Sequence, residues 1–170
     1  MEAGAAAKGF TSQDFRSALG AFATGVTVIT TRGEQHAYGM TANAFSSVSL
    51  DPPLVLVCIK TGAEGSDHVE RNRCFAVNIL GADQEPMSRY FASKERPRGR
   101  DAFRDVPHRV TATGSPILDG VVAYLDCELH AAHEAGDHRV FIGEVLDLGV
   151  YPTVPPLTFV AGQYRRLPEA

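Results

Sequence analysis

The chain contains no tryptophan, and aromatic residues make up only 8% of its 170 positions. So sparse an aromatic content argues against a broad stacking platform for nucleic-acid bases. A cationic surplus is also missing. Sixteen Lys and Arg stand against twenty Asp and Glu, giving a net charge of −4 and a pI near 5.8. That balance argues against a dedicated nucleic-acid binder. No apolar run approaches the length of a membrane span. The first nine residues carry Glu2 and a short alanine run, not the basic start of a signal peptide. Cysteine is scarce. Cys58, Cys74 and Cys127 are odd in number, widely spaced and set in apolar runs, which reads as three small core residues in a reducing, cytoplasmic setting. Three nucleotide or nucleophile signatures are absent as well: G-x-G-x-x-G, G-x-x-x-x-G-K-[ST] and G-x-S-x-G. A nucleotide cofactor would need a scaffold other than a Rossmann unit or a P-loop.

What is present is a globular composition, 44% hydrophobic and 21% charged, of a length that suits one domain. Residues 1–10 read as a flexible tail and residues 11–170 as a single domain. Thr11 or Ser12 can cap a helix whose Phe15, Ala18, Leu19 and Phe22 share one face, with Gly25 as its stop. The β-branched run Val26–Thr31 then predicts a strand, and Arg32-Gly33-Glu34-Gln35 a hairpin turn. Tyr38–Leu50 predicts a strand or bent strand pair. The unbroken apolar run Leu54–Ile59 predicts a central strand covered on both faces. A helix over Ser66–Arg73 with Ser66 as cap, a strand over Cys74–Leu80 and a helix near Asp83–Ala92 follow. The charged segment 93–105 reads as a solvated loop. Two long strands near 120–134 and 138–149 join at Gly136-Asp137, and a short strand precedes Tyr164. Strands in runs, with helices inserted between them, give a mainly β fold: an antiparallel sheet or barrel with peripheral helices.

Cys127, His130, His133 and His138 fall close together and raise the question of a metal. On a strand Cys127 and His133 point one way and His130 the other, so convergent ligation needs special bending and the metal reading loses. The most informative stretch is Gly39–Ser49. Its small side chains let a ligand approach the backbone, while its hydroxyls, amide and main-chain N–H groups can bind a heteroaromatic edge or a phosphate. An ordinary polar strand and turn would have the same composition. Lys60, at the end of the apolar strand, can supply a cation to a phosphate or stand simply exposed. Ser66 can serve as helix cap and phosphate ligand together.

Thr24–Thr30, Gly39–Ser49, Asp51-Pro52-Pro53-Leu54, Phe75–Leu80, Gly136-Asp137-His138 and Gly162-Gln163-Tyr164-Arg165 occur in the order found in flavin reductases of two-component monooxygenase systems. The chain resembles that family from about residue 11 to 167. The resemblance implies a flavin-binding split β-barrel, a homodimer with flavin near the subunit interface, and reduction of free FAD or FMN by NADH, with NADPH possible. It also implies a separate monooxygenase that receives the reduced flavin, with no nucleic-acid or membrane partner. It places Thr41, Ala42, Asn43 and Ala44 along the isoalloxazine edge, and Ser46, Ser47, Lys60 and Ser66 at the ribityl and phosphate end. Thr27, Cys58 and Ile59 would line the site, His138 would lie near the nicotinamide, and Tyr164 would close its side or pack at the last strand. Two other readings fit a split barrel: an oxidase that retains its flavin, and a flavin-binding protein without turnover.

Overall fold

The computed structural model describes residues 9–33, 35–151 and 155–167, so Glu34 of the expected hairpin turn lies outside the described residues. Its helices are α1 (Ser12–Gly20), α2 (Glu64–Asn72) and α3 (Glu85–Ala92), with a 3-10 turn over Gly99–Phe103. The strands run β1 (Thr24–Gly25), β2 (Thr27–Thr31), β3 (Tyr38–Ala42), β4 (Phe45–Leu50), β5 (Pro53–Lys60) and β6 (Cys74–Ile79). They continue as β7 (His108–Val110), β8 (Pro116–Leu118), β9 (Ala123–Ala135), β10 (His138–Val150), β11 (Thr158–Val160) and β12 (Gln163–Arg165). Among the described residues no helix is long and apolar enough to cross a membrane.

Seven strands pair antiparallel in the order β3-β2-β6-β9-β10-β5-β4. The two edge strands β3 and β4 follow one another in the chain, joined only by Asn43 and Ala44. In a flat sheet, edges six spacings apart would be about 29 Å from each other. Three Cα steps from Ala42 to Phe45 span at most about 11 Å. The sheet must therefore curl until its edges meet. Where they do, the Phe45 N–H donates to the Asn43 carbonyl and the Cys58 N–H to the Ala44 carbonyl, each at 3.0 Å. The expected barrel is the observed one.

Alternation along the strands divides the apolar residues into two clusters. Ile29, Val57, Ile59, Phe75, Val77 and Phe141 fill one, with Val69 of α2 packed among them. Val28, Ala76, Phe91, Phe103, Ile117 and Leu118 form the other, which brings in α3, the 3-10 turn and β8. Strands β2 and β6 contribute to both and are covered on both faces. Strand β5 is not, contrary to the expectation from its unbroken apolar run. It lies next to the edge, and its Leu54, Leu56 and Cys58 are only half-buried while Val55, Val57 and Ile59 face the core. An antiparallel neighbour position allows one open face even under a wholly apolar sequence.

Thr11 caps α1 as expected. Its Oγ1 accepts from the Asp14 N–H at 3.1 Å, and Asp14 returns a carboxylate to the Thr11 N–H at 2.8 Å. No residue of this helix is buried within the chain, so its Phe15 and Leu19 stand exposed. The second helix begins two residues earlier than the sequence predicts. Gly62, at φ 75°, turns the chain, and extended Ala63 takes the cap position that Ser66 was expected to hold.

Gly143 of β10 sits inside the barrel, where a Cβ would lie 2.5 Å from Phe75 Cζ and 2.8 Å from Cys127 Cβ. Gly143→Ala is expected to lower unfolding free energy by about 1–3 kcal/mol through overpacking, measured by urea denaturation. A midpoint unchanged from the parent would contradict this packing.

Candidate functional site

The curl that joins β3 to β4 exposes backbone and small side chains where the edges meet. A notch of about 150 Å³ opens there, lined by Val26, Thr41, Ala42, Asn43, Phe159 and Tyr164. Thr41 is shared with a larger cavity of about 710 Å³ that runs from β3 past the β5–α2 turn to the segment after α3. The notch is mainly apolar, while the cavity carries Lys60, Lys94, Arg96 and Arg98 against Glu64. A planar apolar ring with a polar edge suits the first, and a phosphate suits the second.

Each wall is fixed by identifiable contacts. Thr27 is buried, and its hydroxyl donates to the Ala42 carbonyl at 2.6 Å, so it supports the notch from behind and does not line it. The Thr41 hydroxyl donates to the Ser88 carbonyl of α3 at 2.6 Å. Ser88 Oγ lies 2.8 Å from the Tyr164 hydroxyl, and Arg89 stacks over the Tyr164 ring at 4.8 Å. The Tyr164 ring therefore stands in the notch beside Thr41 and Asn43. Arg96 is held in place by donating to the carbonyls of Ser93 at 2.7 Å and Gly39 at 2.5 Å, with its guanidinium over Tyr38 and Phe91. Gly39 is needed at this point, because a Cβ there would meet Phe91 at 2.6 Å.

The remaining expected residues divide into near and distant. Ala44, Ser46 and Ser47 are exposed at the start of β4 and just before it. Cys58 and Lys60 share one face of β5. Burial pushes the Cys58 thiol above its usual value, so it stays protonated at neutral pH. Ile59 points into the core at 1% exposure and presents no side chain to the cavity. Ser66 is likewise buried in the first turns of α2, and its Oγ has no hydrogen-bond partner among the described residues. His138 opens β10 directly opposite Lys60 in the strand register, and the Thr61 N–H donates to the Asp137 carbonyl at 3.0 Å. His138 Nδ1 lies 2.8 Å from Asp137 Oδ1. That hydrogen bond and the imidazole's charge, with Lys60 adding, hold the Asp137 carboxyl below the usual carboxylate range.

Segment 93–105 is largely exposed, as expected of a solvated loop, but it also buries Ala102 and Phe103 and brings Lys94, Arg96 and Arg98 to the same cavity as Lys60. Its signal was a local surplus of cations, five against three acids, in an acidic chain. Among the described residues no group of three or more His, Cys, Asp or Glu is placed to hold a metal. His130 instead lies 3.8 Å from Glu144 and Cys127 is fully buried. Burial, with Asp126 nearby, raises the Cys127 thiol to about 12.

The model of the flavin reductase like domain matches residues 19–168. The chain belongs to the flavin reductase-like domain family. Within it, the chain is 42% identical over 157 residues to the NADH-dependent FAD reductase of Streptomyces globisporus, covering 91% of this chain and 86% of the relative. It is 40% identical over 152 residues to the flavin-dependent monooxygenase reductase subunit HsaB of Mycobacterium tuberculosis, covering 88% and 79%. Among solved structures it resembles the Streptomyces globisporus NADH:FAD oxidoreductase SgcE6 in complex with NAD and FAD fragments. That similarity has a TM-score of 0.85 at 39% identity over 92% of each chain.

A cationic cavity reads phosphate, so FMN is expected to bind more tightly than riboflavin, which lacks one. Lys60→Ala is expected to weaken FMN about tenfold and to change riboflavin little, measured by equilibrium dialysis. Equal losses for both ligands would contradict a phosphate role.

Proposed function

We propose that the chain is an NADH-dependent flavin reductase that reduces FAD or FMN and passes the reduced flavin to a separate monooxygenase component. The observation that carries this reading is the adjacency at Thr41, which lines both an apolar notch and a cationic cavity. A flavin has the same succession, a planar ring followed by a phosphate-bearing chain. The relatives support the reading by their names: one is an NADH-dependent FAD reductase, another the reductase subunit of a monooxygenase.

In this reading Thr41, Ala42, Asn43 and Ala44 follow the ring edge. Lys60, Ser46 and Ser47 serve the ribityl and phosphate end, joined there by Lys94 and Arg96. Thr27 and Ile59 act through the backbone they hold in place, and Ser66 lies buried behind the β5–α2 turn. When both cofactors are bound, they supply the chemistry, a hydride passing from the nicotinamide C4 to the flavin N5. The protein's task is then orientation, water exclusion and charge, and no nucleophile is required. Asn43 and neighbouring main-chain N–H groups offer donors to the ring edge where negative charge grows. His138 orients the nicotinamide nucleotide through its amide or phosphate, with Asp137 fixing the imidazole.

We also propose that two copies associate. Leu146, Leu148 and Val150 form an exposed apolar row along β10, and Phe15, Leu19 and Phe22 another at α1. Single chains rarely leave such rows uncovered. Covering them with a second copy would also shelter the half-open face of β5 near the cavity.

Two experiments test these assignments. NADH oxidation is expected to depend on added FAD or FMN, and His138→Ala is expected to raise the NADH KM about tenfold without changing the flavin KM. An unchanged NADH KM and kcat would remove His138 from the site. Leu148→Asp is expected to convert a dimer to monomers in sedimentation equilibrium. A parent chain that sediments as a monomer would contradict the dimer.

A further inference from the structure

His138 stands at a strand end with little support from the sheet itself. The β10–β5 ladder stops at the His138–Lys60 pair, so any fraying of these strands starts there. On the other side, Ala131–Ala135 of β9 pair with β10 alone among the described residues, because the β6 ladder ends at Glu128. The hairpin end is exposed from Ala132 to Asp137. Lys60 lines the cavity, and His138, its register partner, shares its face. Neighbours in a strand face opposite ways, so Arg139 lies on the far face with its own partner Ile59. Ile59 is buried in the core cluster that also holds Val69 of α2. There the Arg139 guanidinium meets two carboxylates from two other elements. Its Nε donates to Glu134 Oε1 of β9 at 2.6 Å, and its Nη1 donates to Glu70 Oε2 of α2. The same helix lines the cavity with its cap Ala63 and its first residue Glu64.

We infer that Arg139 is a positioning residue for His138: by tying β10 to β9 and to α2, it fixes the imidazole against the β5–α2 turn where NADH is to be received. The inference rests on the flavin reductase reading, in which His138 orients the nicotinamide nucleotide, and deepens it. Arg139 touches neither cofactor and acts only through the strand it anchors. An arginine suits this task because its planar fork donates in two directions at once, whereas a lysine ammonium is a single point charge. Both acids are more than half exposed, at 62% for Glu134 and 53% for Glu70, and ion pairs of that kind add little to global stability. The effect of the clamp therefore falls on the place of His138 and not on the fold.

The test compares Arg139→Ala, Arg139→Lys and Glu70→Gln with the parent, each with and without His138→Ala. Equilibrium dialysis reads NAD+ affinity, and steady-state NADH oxidation with FMN reads the two KM values. Arg139→Ala is expected to weaken NAD+ binding and raise the NADH KM about fivefold, with the FMN KM and the thermal midpoint close to the parent's. Arg139→Lys and Glu70→Gln, which each keep part of the clamp, are expected to lose less. Should Arg139→Ala fail to fold, Glu70→Gln carries the comparison, with its loss again confined to the nicotinamide. In the His138→Ala protein the Arg139→Ala change is expected to add nothing, since the side chain it positions is gone. A lowered midpoint with equal losses for NADH and FMN, or a full loss that persists without His138, overturns the positioning role. Unchanged NAD+ affinity in Arg139→Ala beside a weakened His138→Ala overturns it as well and leaves the reductase reading in place. Unchanged NAD+ affinity and NADH KM in both variants remove His138 from the site and this inference with it.

Discussion

The link between Ala42 and Phe45 constrains everything else in this molecule. Two residues, Asn43 and Ala44, join strands that occupy opposite edges of a seven-stranded sheet. The sheet has no choice but to roll up, and its seam falls on those two residues. Seams are where backbone groups lose their ladder partners and where small side chains leave room for a ligand. The notch opens at the seam for that reason, and Thr41, one residue before Ala42, also lines the charged cavity. Topology thus places the small, polar residues of the seam and the cations of the larger cavity on either side of Thr41.

Much of this was readable from residue types. Antiparallel strands with inserted helices follow from the runs of β-branched residues, and the small, hydroxyl-rich Gly39–Ser49 stretch marks the seam. What escaped the sequence was environment. The run Leu54–Ile59 reads as doubly covered because every residue is apolar, yet only alternate ones meet the core. Whether the other face is covered depends on what lies across it, which no local pattern records. Ile59 and Thr27 illustrate the same gap. A residue adjacent to the site in sequence faces away from it in a strand, because side chains alternate. Ser66 lost its cap role to a turn at Gly62 whose left-handed geometry fixed the helix start earlier.

The charged segment after α3 is exposed as its composition suggests, yet its cations have a place in a cavity that composition did not show. An acidic chain directs attention away from anionic ligands, but a ligand experiences local potential and not the net charge. Arg96 is tied by two backbone carbonyls into a fixed position over Tyr38 and Phe91. A guanidinium immobilised in this way costs little further entropy when an anion arrives. The absence of tryptophan also acquires a physical sense. The notch is walled by backbone and small residues, with Tyr164 and Phe159 its aromatic lining.

Reduction of a diffusible flavin, as distinct from one kept on the protein, is the central claim. The most direct measurement is an anaerobic reaction of NADH with flavin in large molar excess over protein, followed by the loss of flavin absorbance. Bleaching of the entire flavin pool, with one NADH consumed per flavin, is the expected result. Bleaching that stops at an amount equal to the protein, or NADH that is not consumed, would contradict it.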